Sequence, residues 1–168
     1  PSRISFRLLT LAAVPAVVSA TVFVETASAA TLRVCRSGCT YTGLQQALDA
    51  AQPGDTILLR AGETFVGNYR LRPKSGDAFI VIRSDAADTA LPSAGERLVP
   101  QGRPGANVSL ASLARIVGQG GAYKSQPVLR ADPGAHHYIF QFVDFDGTAN
   151  VGYETLIALG TDDPQPTP

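Results

Sequence analysis

Short apolar runs separated by turn-forming residues make up most of the chain beyond residue 55. The clearest runs lie at 56–60, 79–83, 115–117, 138–145 and 155–159. Shorter runs lie between them, at 64–66, 69–71 and 128–130. Gly, Pro, Asp and Arg border these runs, and bounded apolar runs of this length predict buried β-strands. The pattern therefore predicts an all-β chain.

One amphipathic segment precedes these runs. Leu44, Ala47, Leu48 and Ala51 are spaced as one face of an α-helix, and Pro53-Gly54 ends the pattern. A helix of two turns is not stable alone, so it must lie on an apolar surface. We expect this helix to cap one end of the core.

The predicted strands recur at intervals typical of a solenoid. Ile57 and Ile80 are 23 residues apart, Ile116 and Ile139 are also 23 apart, and Ile157 follows after 18. Strand periods of roughly 20 residues predict coils that each bury their inner face against the coils above and below. The spacing therefore favours a parallel β-solenoid.

The segment 85–113 interrupts this spacing and is rich in Ala, Pro, Ser and Gly. We expect it to be an insertion at the corner of a coil. A β-sandwich is the alternative on strand count, but it explains neither the early helix nor the near-repeat. Little helix lies between the predicted strands, which disfavours a doubly wound βαβ sheet.

Residues 1–29 have the three parts of a secretory signal peptide. Two arginines give a basic start, 8–24 is almost wholly apolar or small, and Ala27-Ser28-Ala29 is a cleavage motif. The sequence predicts cleavage between Ala29 and Ala30, and hence a secreted, cell-surface or periplasmic protein. An uncleaved anchor is the alternative, but the early cleavage motif argues against a permanent membrane span.

Cys35 and Cys39 are the two cysteines of the chain. In an exported protein a close, even pair predicts a structural disulfide. A zinc site would need further ligands, and the spacing does not fit a Cys-x2-Cys redox motif. We assign 30–55 to an N-terminal cap that contains the cysteines and the helix, and 56–160 to the first coils.

The charge balance excludes some partners. The chain has 14 basic and 14 acidic residues, a net charge of zero, and no basic cluster. Nucleic acid is therefore not an expected partner. The last segment, 161–168, ends in Asp-Asp-Pro-Gln-Pro-Thr-Pro and is typical of a linker or a truncation.

Two segments resemble a known family. The run Tyr-Thr-Gly-Leu-Gln-Gln-Ala-Leu-Asp-Ala-Ala-Gln-Pro-Gly-Asp-Thr-Ile-Leu-Leu-Arg-Ala-Gly-Glu-Thr-Phe at 41–65 resembles the N-terminal cap and first coil of pectin-lyase-like right-handed parallel β-helix proteins. The run 135–145 is similar to a coil strand of exported bacterial members, with Phe142 where that pattern has Gly or a small residue. The resemblance covers about 31–160.

The resemblance implies an all-β, right-handed parallel β-helix in an extracellular protein that acts on or binds polysaccharide. Members include lyases for pectate, alginate or chondroitin, and hydrolases. The chain has room for only about three or four coils after the cap. We therefore expect an N-terminal portion of a longer protein, with catalytic residues beyond residue 168. The alternative is a non-catalytic surface, adhesin or carbohydrate-binding β-helix.

A polysaccharide lyase needs a base and a group that neutralises the uronate carboxylate, either Ca²⁺ or Arg. Asp144 and Asp146 alternate along one strand, so both should point outward, where they are either a weak Ca²⁺ site or a solvated face. Two carboxylates supply too few ligands for Ca²⁺ without further partners. His136 and His137 precede that strand, and adjacent strand residues face opposite ways, so they should not chelate one metal. No cofactor or metal site is assigned.

Three arginines complete the candidate residues. Arg60, Arg83 and Arg130 each end an apolar run, and stacked coils would align them in one basic ladder that could meet acidic sugars. The alternative is that they only solubilise the strand ends. Asp55, in the Pro-Gly-Asp turn, is expected to be a turn and capping residue rather than an acid catalyst, and Gly54 is expected to have positive φ.

Overall fold

The structure is a computed structural model, and it describes residues 28–120, 126–149 and 156–160. The regular secondary structure of the described part is mostly β-strand, with one short α-helix. The strands are β1 (Thr31–Val34), β2 (Thr56–Leu59), β3 (Thr64–Val66), β4 (Tyr69–Leu71), β5 (Ile80–Ser84), β6 (Ala114–Val117), β7 (Leu129–Ala131), β8 (Tyr138–Gln141), β9 (Val143–Asp146) and β10 (Ile157–Ala158). The helix α1 is Leu44–Ala50, and 3₁₀ turns lie at Asp88–Ala90 and Leu110–Ser112.

The strands form three sheets in which every pair is parallel. The first sheet has the order β1-β2-β5-β8, the second β3-β6-β9 and the third β4-β7-β10. From β2 onward the chain places one strand in each sheet in turn, and then returns to the first sheet beside the strand it left. The prediction of an all-β fold with parallel strands is therefore confirmed.

Inward side chains from all three sheets pack into one core. Strands β1 to β7 alternate buried and less buried positions, as the two-residue period of a strand requires. Ile57, Ile82, Ile116 and Leu129 are almost completely buried in this cluster. Removing a side chain of this kind from water contributes about 1.5–3 kcal/mol to stability.

Helix α1 covers one end of this core. Its buried side chains, Leu44, Ala47 and Leu48, belong to the same cluster, and it packs against β1 and β4, which are the outermost strands of their sheets. Its amphipathic pattern was thus predicted correctly, and the Ala51 N–H donates to the Ala47 carbonyl 2.9 Å away where the helix ends. No helix within the described residues has the length and apolar character needed to cross a membrane.

The predicted 23-residue spacing is not the separation of paired residues within one sheet. Ile57 pairs with Ile82 rather than with Ile80. Ile116 lies in the second sheet and Ile139 in the first, so their spacing is not a coil repeat. Each circuit contains three strands joined by corners of different lengths, and the segment 85–113 adds to one corner between β5 and β6.

The run 138–145 is two strands rather than the single long strand predicted. Phe142 separates β8 from β9 and has a φ of 54°, a left-handed conformation that sends the chain from the first sheet into the second. A small residue would adopt this conformation more readily. The Phe142 ring packs beside a small apolar cluster of the 85–113 segment, Leu91, Val108 and Leu113.

A disulfide joins Cys35 to Cys39, as predicted from their spacing. It lies between the end of β1 and the turn before α1. A disulfide within the chain is consistent with an extracellular location, because disulfides form and persist in oxidising compartments.

Candidate functional site

The three candidate arginines do not form one ladder. Arg60 follows β2 and Arg83 lies on β5, both in the first sheet, whereas Arg130 lies on β7 in the third. Arg60 is paired with Glu63 at 3.9 Å and Arg83 with Asp88 at 2.8 Å. The prediction was wrong because the end of an apolar run does not tell which of the three sheets the strand joins.

Arg130 instead lies beside an arginine that the sequence analysis did not select. Arg70 on β4 and Arg130 on β7 are direct register partners, and both are exposed on the outer face of the third sheet. Neighbouring strands lie about 4.8 Å apart, so the two guanidinium stems start side by side. The outward position of Arg70 between Tyr69 and Leu71 was the signal that could have found it.

The two arginines differ in their counter-charges. The Arg70 guanidinium lies 2.8 Å from an Asp132 carboxylate oxygen, and Gln45 of α1 bonds both the N–H and the carbonyl of Arg70. The Arg130 side chain forms no ion pair or hydrogen bond within the part of the chain that the structure describes. Like charges on neighbouring strands are unfavourable, so an anion between the two guanidinium groups would relieve their repulsion.

A shallow polar groove runs along this face. It has a volume of about 150 Å³ and is lined by Asn68, Tyr69, Arg70, Gln126, Pro127 and Arg130. The Asn68 amide donates to the Pro127 carbonyl at 2.9 Å and thereby fixes one side of the groove. Burial raises the pKa of Tyr69 to about 12, so its hydroxyl remains protonated at neutral pH.

Two further cations extend the positive character of the face. Arg72 lies 2.7 Å from an Asp49 carboxylate oxygen, and Lys74 donates to the Asp49 carbonyl at 2.6 Å. The hydrogen bond and charge of Asp49 raise the pKa of Arg72 above its ordinary value. We call Arg70, Arg72, Lys74 and Arg130, with the counter-charges Asp49 and Asp132, the third-sheet face. It carries more cations than carboxylates although the whole chain has no net charge.

The carboxylate pair on β9 has a partner within the fold. Asp144 and Asp146 share one face, and Arg115 on β6 approaches both, at 2.7 Å and 3.6 Å. The backbone N–H of Thr148, then its hydroxyl, and also Arg115 hold the pKa of Asp146 below its usual range. Arg115 thus neutralises the position that a Ca²⁺ ion would need to occupy. The described ranges contain no group of three or more His, Cys, Asp or Glu side chains that could hold a metal ion.

The prediction that His136 and His137 face opposite ways was wrong. Their ring centroids are 4.6 Å apart and their Nδ1 atoms are in contact. His137 has a φ of 59°, and this left-handed conformation breaks the alternation on which the prediction rested. His137 also packs edge-on against Phe79, with the centroids 5.0 Å apart. The pair lies outside the polar groove of the third-sheet face.

The third-sheet face is the candidate site because it combines a groove, a cation surplus and an arginine whose side chain has no counter-charge among the described residues. Comparison of the chain with protein-family models, with curated proteins and with solved structures finds no match.

Proposed function

We propose that this chain is an exported, right-handed parallel β-helix of the pectin-lyase-like type that binds an acidic polysaccharide on its third-sheet face. The ligand class is a polymer with regularly spaced carboxylates, such as a polyuronate. Arg130 is the primary contact, and Arg70 is the second. The observation that carries the proposal is the register of these two arginines on adjacent parallel strands.

The strand order supports the β-helix. Successive strands enter the first, second and third sheets in a fixed rotation, as a chain wound into coils would do. Helix α1 packs over the terminal strands, as expected of a cap that protects the apolar end of a repeat stack. A right-handed coil is favoured because parallel strand crossovers are almost always right-handed.

The chemistry of the face supports an anionic ligand. A guanidinium presents a planar fork that matches a carboxylate, and two arginines in register could each receive one carboxylate of a repeating polymer. A neutral chain with a confined cationic face does not suit nucleic acid, which requires an extended basic surface. The predicted signal peptide and the disulfide support an extracellular polymer.

Binding is better supported than cleavage on this face. A lyase requires a base near the bound uronate with a pKa close to the working pH. The Tyr69 hydroxyl has a pKa of about 12, and the Tyr138 hydroxyl donates to the Arg72 carbonyl at 2.7 Å, with a pKa raised by burial and by Asp49 and Asp132. Both hydroxyls therefore remain protonated at neutral pH, so neither can act as the base of a lyase.

The test is affinity electrophoresis in gels that contain polygalacturonate, alginate or neutral dextran. The unmodified chain should be retarded by a polyuronate and not by dextran, and the retardation should fall as salt rises. Arg130→Gln should weaken binding about tenfold, the value of a charge-assisted hydrogen bond. Arg103→Gln is the matched control, because it removes the same charge from an exposed position in the 85–113 segment.

Equal affinity of Arg130→Gln and Arg103→Gln would overturn the assignment of the face. Absence of binding to every polyuronate at low salt would overturn the ligand class. A rise in the ultraviolet absorbance of unsaturated uronate, with or without Ca²⁺, would show that the chain is a lyase and not only a binding protein.

A further inference from the structure

Asp55 is a buried carboxylate without a cationic side chain beside it. The residue is 6% exposed, and its two carboxylate oxygens accept backbone N–H groups from Ala30 at 2.7 Å and from Gln52 at 2.8 Å. Among the described residues, no Lys, Arg or His side chain lies within ion-pair distance of it. A buried carboxylate is costly unless hydrogen bonds and an opposite charge compensate it.

The donor to Asp55 is the atom that signal-peptide removal would release. Cleavage after Ala29 adds water across the Ala29–Ala30 peptide bond. The Ala29 carbonyl carbon becomes a carboxylic acid and the Ala30 nitrogen a primary amine, and the one proton that the acid releases converts the amine into an ammonium group. Ser28, Ala29 and Ala30 are all exposed, and the Ala30 carbonyl accepts from Thr56 N–H at 2.9 Å. Ala30 is thus held at the start of the ladder between β1 and β2.

We propose that Asp55 is a binding site for the α-ammonium group of Ala30, which forms only when the chain is cleaved after Ala29. The neutral N–H donor of the uncleaved chain is replaced by a cation at the same position, 2.7 Å from the carboxylate. The carboxylate acceptor is the same before and after cleavage, so the gain comes from the opposite charge that the ammonium group places beside a buried carboxylate. This inference rests on the export that we propose, because the ammonium group forms only when the signal peptide is removed.

The site is specific for one cleavage position. A chain with one extra residue presents the neutral amide again, and a chain that lacks Ala30 leaves one carboxylate oxygen without its donor. Asp55 also links this site to the next circuit, because its carbonyl accepts from Val81 N–H at 3.0 Å. Capture of the new terminus therefore strengthens the junction of β1, β2 and β5.

The experiment compares two otherwise identical chains, one starting at Ala30 with a free amine and one starting at Ser28. Urea unfolding at neutral pH should give an unfolding equilibrium constant about tenfold smaller for the chain that starts at Ala30. Acetylation of the Ala30 amine should abolish this difference; it is carried out near neutral pH, where the amines of Lys74 and Lys124 stay protonated, and mass spectrometry verifies a single modification. In an Asp55→Asn background the two chains should unfold alike.

Equal stability of the free-amine and acetylated Ala30 chains would overturn the inference, as would a difference that persists with Asn at position 55. The acetylation arm remains decisive if Asp55→Asn does not fold. Mass spectrometry of the protein recovered from an exporting host separates this inference from export itself. A terminus at Ala30 without coupling to Asp55 rejects the ammonium site alone, whereas an uncleaved chain rejects the export on which it rests.

Discussion

The bend at Phe142 gives the sharpest prediction about stability. A non-glycine residue with φ of 54° is strained, and this strain costs about 1–2 kcal/mol relative to glycine. The side chain offsets the strain, because the ring lies beneath the Arg83 guanidinium at 5.7 Å and packs against the apolar cluster of the 85–113 segment. Replacing Phe142 by Ala should remove the packing and keep the strain, whereas Gly removes both.

The expected magnitudes follow from the contacts. Burying a whole Phe contributes about 1.5–3 kcal/mol, so a half-buried ring contributes about 1 kcal/mol. The contact with Arg83 adds about 0.5–1 kcal/mol. Phe142→Ala should therefore lower the free energy of unfolding by about 1.5–2 kcal/mol, and Phe142→Gly by about 1 kcal/mol or less. Glycine should be the more stable replacement, which reverses the ordinary order within strands.

Urea unfolding followed by circular dichroism measures this order. Gln141 provides the matched control, because it is the adjacent exposed residue of β8 and is not among the residues with positive φ. Gln141→Ala should be more stable than Gln141→Gly. If Phe142→Ala were as stable as Phe142→Gly or more stable, the strain at this bend would be refuted.

Three further substitutions test other parts of the fold. Ser84 is fully buried, and its hydroxyl donates to the Phe142 carbonyl at 2.6 Å and accepts from the Ala114 N–H at 2.5 Å. Ser84→Ala should therefore lower the free energy of unfolding, measured in urea, by about 2–4 kcal/mol. A loss below about 0.5 kcal/mol, which is typical of a surface substitution, would contradict this. Because the pKa of Tyr69 is raised from 10.0 to about 12 by burial, its stabilising contribution is complete below pH 10 and is lost as the pH rises toward 12; Tyr69→Phe should remove that loss from the unfolding profile. The pKa of Asp146 is lowered, so the ionised carboxylate stabilises the fold. This contribution to the free energy of unfolding is present above the ordinary aspartate pKa and is lost as the pH falls through the lowered pKa. Thr148→Val removes only the hydroxyl and should raise that pKa part of the way, as NMR titration would show, and an unchanged pKa would exclude the hydroxyl as a cause.

Features set by local sequence were predictable. The spacing of Leu44, Ala47 and Leu48 gave the helix, and Gly54 has a φ of 97° in the Pro-Gly-Asp turn, as its neighbours implied. These features depend on residues close in the chain. The all-β class was predictable for the same reason, because each apolar run predicts its strand by itself.

Features set by corners were not predictable from periodicity. The strand that follows each corner joins a different sheet, so Arg130 faces Arg70 rather than Arg60 or Arg83. The left-handed residue His137 also departs from strand geometry, and nothing in its residue type required this. The candidate site depends on these non-local pairings, and sequence alone therefore identified one of its two central arginines.

NMR spectroscopy with a short oligouronate tests the proposed function most directly. The chain should be titrated with the oligomer, and shifts of the backbone amides and of the arginine Nε–H groups should be followed. The largest shifts are expected at Arg70 and Arg130, with smaller shifts at Asn68 and none at Arg115 on the second sheet. Shifts centred on Arg115, Asp144 and Asp146, or no shifts at any residue, would contradict polysaccharide binding on the third-sheet face.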